Sequence, residues 1–152
     1  MAITKNILGE NYILKKEDIT RVLEGVYQMA VAVRGNAKDY HKLALIEIRV
    51  GDQLGEDSEA LKHYELALGC MMKISQDKRP KDYNSIIAAL YFKIWEWADD
   101  ESGEEILQKA YFHANKELPK KLSNIQQHFV ARILIEKADS EYRLNAEKCF
   151  DK

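Results

Sequence analysis

The chain has 152 residues, of which 46% are hydrophobic, with 23 Lys plus Arg against 25 Asp plus Glu and a formal net charge of -2. That is enough chain to bury a core without metal or disulfide staples, and charges interleaved with regularly spaced Leu, Ile, Tyr and Trp exclude a disordered polyelectrolyte. The balanced charge supplies no general attraction to phosphate backbones or anionic lipid. Two distant cysteines, Cys70 and Cys149, show no CxxC or finger spacing, no leader pattern is present, and no run approaches about 18 apolar residues. The expectation is a cytoplasmic protein with no membrane partner.

Residues 1–16 read as an N-terminal arm, a short strand or an irregular segment, and 17–152 as one helical domain. Ile19, Val22, Leu23, Val26, Ala30 and Val33 recur at helical spacing and predict a helix over 17–34, stopped by Gly35 and Asn36. A second helix is expected over 38–50, with a strand over 43–50 as the alternative because LALIEIRV partly alternates. GDQLGED, 51–57, reads as a loop by composition. Asp57 or Ser58 then caps a third helix over 58–75, whose apolar face carries Leu61, Tyr64, Leu68, Met71 and Met72.

Pro80 interrupts the periodicity, since it lacks a donor and crowds the preceding turn. The stripe Tyr83, Ile86, Ile87, Leu90, Tyr91, Ile94 and Trp95 predicts a helix over 82–98. Ser102 and Glu105 have capping-box spacing for a helix over 103–117, and Ser123 and Gln126 repeat it before a helix over 123–138. ADS at 138–140 either separates a short terminal helix or bends a longer one. The fold class is therefore all-α, with six or seven helices in antiparallel hairpins that form either a stacked array or a compact bundle.

Internal similarity bears on that choice. Residues 40–43 are similar to 83–86, and Glu59 with Ala60 to Glu105 with Ile106. Within 40–68, Leu43 and Ala44 precede a small–aromatic–small order at Ala60, Tyr64 and Ala67, which lets two helices approach around an aromatic wedge. This segment resembles a tetratricopeptide-type helical hairpin. It departs from that pattern in a hairpin loop, GDQLGEDS, that is too long, and in the absence of Pro after Leu68. The resemblance implies a scaffold for proteins or peptides and does not imply catalysis.

No catalytic, cofactor or metal constellation emerges from the spacing. His41, His63, His113 and His128 are scattered; Glu59 and His63 share a helical face, but one Glu and one His do not complete a zinc site, and HExxH is absent. GxSxG and GxxxxGK are absent too, and Cys70 beside Met71 reads as a buried thiol. The run Asp99, Asp100, Glu101, Glu104 and Glu105 suits a solvated helix N-terminus. The small basic turns at Lys78, Arg79 and Lys81 and at Lys116, Lys120 and Lys121 do not point to nucleic acid. Trp95 and Trp97 project about 200° apart on a helix, so Trp97 leaves the core side.

The expected function is a non-catalytic scaffold that binds a protein or peptide and needs no cofactor, with Tyr40, Glu47, Tyr83, Tyr91 and Trp97 as partner-binding candidates on a surface or groove. The alternatives are a helical-bundle accessory subunit or toxin or enzyme inhibitor, and a small-ligand-binding or enzymatic helical domain. The oligomeric state stays open.

Overall fold

The computed structural model of the chain describes residues 2–5, 11–14, 16–116 and 132–141. The fold is all-α, preceded by one small hairpin in which β1 (Ala2–Lys5) pairs antiparallel with β2 (Asn11–Leu14), Ala2 opposite Leu14 and Lys5 opposite Asn11. Then follow α1 (Lys16–Val33), α2 (Ala37–Leu54), α3 (Glu59–Met72), a 3-10 turn at Gln76–Lys78, α4 (Tyr83–Trp95) and α5 (Asp100–Asn115). Residues 132–141 are also helical and are called α6. Residues 43–50 lie inside α2, so the strand alternative fails there. Much of the helix expected over 123–138 lies outside the described residues, and the ADS triplet at 138–140 is helical instead of a break. Among the described residues no helix is long and apolar enough to cross a membrane.

The chain divides into two compact units, Met1–Arg79 and Pro80–Lys152. In the first, α1 packs on α2 and α2 on α3. Gly35 adopts φ 61°, a region open to glycine because it has no Cβ, and its amide reaches back to the Ala30 carbonyl at 3.3 Å. Asn36 then caps α2 by accepting the Asp39 amide at 2.9 Å. Leu43, Ala44, Ile46, Val50, Ala60, Tyr64, Ala67 and Met71 form this unit's interior. Burying side chains of this size contributes about 1.5–3 kcal/mol each before the entropy of ordering them is subtracted.

Helix α2 outruns its expected end, because Gly51 and Asp52 are helical residues and the connection to α3 is confined to 55–58. The reason is tertiary. The Tyr64 ring of α3 lies against Gly51 so closely that a Cβ there would sit 2.7 Å from its Cε1, and the Tyr64 hydroxyl donates to Asp52 Oδ1 at 2.6 Å. Glycine at 51 is thus the floor of an aromatic contact. Its composition alone resembles a turn.

In the second unit α4 packs on α5, and Tyr83, Ile87, Ala88, Leu90, Tyr91, Phe92, Leu107, Ala110 and Ala114 are buried. The α5 cap is Asp99, whose Oδ1 accepts the Ser102 amide at 2.9 Å and the Ser102 hydroxyl at 2.8 Å. This replaces the expected capping box, since a carboxylate one turn earlier meets the free amide first. Trp95 stacks on Phe92 with ring centres 5.4 Å apart, and its indole Nε1 passes 3.4 Å from the position of a Cβ on Gly103. Helix α6 is tied to α5 through Glu104, which accepts from Ser140 Oγ at 2.6 Å and Lys137 Nζ at 3.2 Å, while Ile133 is fully buried.

Candidate functional site

Helix α1 turns most of its larger apolar side chains to the outside. Its apolar residues Val22, Val26, Met29 and Val33 are exposed, and among the described residues from Ile19 onward the buried ones are Thr20 and Glu24. Polar groups line its contact with α2: Gln53 Nε2 donates to Thr20 Oγ1 at 3.2 Å, and Gln28 Nε2 donates to Glu47 Oε1 at 3.3 Å. The periodicity that predicts the helix is real, and Val22, Val26 and Val33 of that stripe face outward. A 3.6-residue period identifies a face without saying which way it turns.

The polar side of α1 completes a buried cluster. Glu24 from α1, Glu47 from α2 and His63 from α3 bring one ligand-type atom each to within 4.8 Å of one another. His63 Nδ1 stands 2.6 Å from Glu47 Oε2 and 3.3 Å from Glu24 Oε2. Glu47 is 1% exposed, Glu24 8% and His63 9%. At the outer edge Arg21 Nη1 donates to Glu24 Oε1 at 3.0 Å. Burial pushes the Glu47 carboxyl above its ordinary range; the His63 hydrogen bond pulls it down, and the neighbouring Glu24 carboxylate pushes it up again.

The hydrogen bonds leave one acceptor over. A single Nδ1–H serves the nearer Glu47 oxygen, and Glu24 Oε2, although buried, makes no hydrogen bond. Cys70, on α3, is half-buried and feels the charge of Glu47, but its thiol is pushed up to about 11, chiefly by burial, and is no nucleophile near neutrality.

The sequence-derived candidates have different surroundings, Tyr40 and Glu47 in the first unit and Tyr83, Tyr91 and Trp97 in the second. Glu47, expected on a surface or groove, belongs to the buried cluster and falls on the inner face of α2, toward His63. Tyr83 and Tyr91 are likewise interior, and Tyr91 stacks on His113 at 6.0 Å while His113 Nδ1 donates to Asn84 Oδ1 at 2.9 Å. Tyr40 is half-buried, with the Lys73 ammonium 5.9 Å from its ring centre. Trp97 is exposed, in the turn after α4 and no longer on the helix. His63 pairs across helices with Glu47 and Glu24, whereas Glu59, its expected neighbour one turn away, is exposed. Residues separated by 16 and 39 positions offer no local spacing by which sequence reading could join them. The acidic run is accounted for locally, with Asp99 capping α5 and Glu104 holding α6.

Comparison of the chain with protein-family models, curated proteins and solved structures gives no match in any of the three. The assignment of function therefore rests on the geometry of the chain itself.

Proposed function

We propose that this protein is a non-catalytic helical-hairpin scaffold that receives an amphipathic helix of a partner protein along the outer face of α1. The carrying observation is the exposed stripe Val22, Val26, Met29 and Val33, at 63%, 54%, 69% and 79% exposure. Their spacing of four, three and four residues is that of a coiled-coil seam, which presents knobs to the holes of a second helix. Segment 25–33 contains no charged residue, so the stripe is not interrupted by groups that would resist desolvation. Gly25 lies on the exposed side with no atom within 4 Å of where a Cβ would be, which leaves room for a close backbone approach.

Packing of the α2–α3 hairpin supports the same reading. Leu43, Ala44, Ala60, Tyr64 and Ala67, the positions that resemble a tetratricopeptide hairpin, are all buried. The extension of α2 to Leu54 shortens the connection and removes the long-loop departure from that pattern. A photo-crosslinking residue at position 29 of the full chain, with mapping of the captured peptide, tests the proposal. The expected product is a heptad-patterned helical segment of another protein, and Val26→Asp should abolish it. Cross-links only to a second copy would reassign the face to self-association; no product above that from a probe at exposed Glu105 would overturn it.

A further inference from the structure

We propose that Glu24, Glu47 and His63 form a binding site for one divalent transition-metal ion of the zinc or cobalt class, held between α1, α2 and α3. Three acceptor-capable atoms, two carboxylate oxygens and one imidazole nitrogen, converge within 4.8 Å in the interior of the first unit. A proton on His63 Nδ1 can bridge only two of these atoms, and Glu24 Oε2 is the one left buried without a hydrogen bond. A cation in the place of that proton engages all three at once, with the imidazole neutral and its Nδ1 lone pair available.

The donor set selects the ion. One imidazole nitrogen with two carboxylate oxygens suits borderline metals, whereas calcium and magnesium prefer oxygen-only shells. Donors each about 2.0–2.2 Å from such an ion in a tetrahedral shell are spaced about 3.3–3.6 Å apart. The 3.3 Å separation of His63 Nδ1 from Glu24 Oε2 already has that spacing, and the 2.6 Å hydrogen bond to Glu47 would open by about 0.7–1 Å. Both carboxylates have the outer partners that metal ligands use to fix their orientation: Arg21 on Glu24 Oε1 and Gln28 on Glu47 Oε1. Local sequence spacing hides the set because each ligand comes from a different helix.

The test is calorimetric titration of the chelator-treated full chain with zinc chloride alone and cobalt chloride alone, with imidazole nitrogen NMR on the same samples. The expected result is one ion per chain, with the Nδ1 resonance of His63 moved and those of His41, His113 and His128 left in place. Glu24→Gln preserves shape at the atom that makes no hydrogen bond, and it should weaken binding by more than about a hundredfold; exposed Arg21→Ala should weaken it by about tenfold. Absence of one-to-one binding to the folded chain, a wild-type affinity in folded Glu24→Gln, or an unmoved His63 resonance would each overturn the site. The NMR reading is made on the unaltered chain and so decides the matter even if a variant fails to fold.

Discussion

Gly51 and Gly25 are both helical glycines, and their surroundings make opposite demands on a methyl group. At Gly51 a Cβ would meet the Tyr64 ring at 2.7 Å, and the ring is anchored by its hydroxyl to Asp52. At Gly25 it would meet nothing within 4 Å. Gly51→Ala should therefore destabilise the chain by about 1–3 kcal/mol despite alanine's higher helix propensity, while Gly25→Ala should stabilise it by about 0.5–1 kcal/mol. Urea denaturation of the two variants checks both signs. Cys70 makes a further test at this scale: with its thiol pushed up to about 11, alkylation at pH 8 in a Cys149→Ser background should be on the order of a hundredfold slower in the folded than in the urea-unfolded chain. Equal rates would show that the native thiol is neither desolvated nor under the influence of Glu47.

Among the elements, the α2–α3 hairpin depends on small residues at its contact. Ala60 and Ala67 are fully buried and flank Tyr64, so Ala60→Trp should cost about 1–3 kcal/mol through overpacking. An unchanged denaturation midpoint would reject the close contact. The start of α5 depends instead on charge. Asp99 is held below its ordinary value of 3.8, first by the Ser102 amide and then by the Ser102 hydroxyl. Because the folded value is depressed, the cap is at full strength above the unfolded value and is lost as pH falls through the folded one. Amide exchange at Ser102 should rise relative to the rest of α5 over that acid range, and Asp99→Asn, which keeps an acceptor but cannot titrate, should flatten the dependence. At the other helix ends the sequence was readable where the signal was chemical. Gly35 with Asn36 closes α1 as expected, and Asn36 also caps α2, whereas the end of α2 was hidden because Gly51 answers to a tyrosine 13 residues away.

For the molecule as a whole, each unit has its own set of buried residues, Leu43, Ala60, Tyr64 and Met71 in the first and Ile87, Leu90, Leu107 and Ala110 in the second. Native-state hydrogen exchange should accordingly sort α1–α3 and α4–α5 into two groups that open with distinct free energies, with the boundary near Pro80. A single opening energy for all five helices would show one cooperative body. The amino-acid sequence by itself determined the all-α class, the order of the helices and most of their starts, because periodicity, caps and proline act over three or four residues. Only the tertiary structure decided that α1 turns its apolar stripe outward, that Glu47 is interior, and that Glu24, Glu47 and His63 meet. Each of these depends on which faces of three helices pack together, a choice made by the whole interior and written in no local spacing.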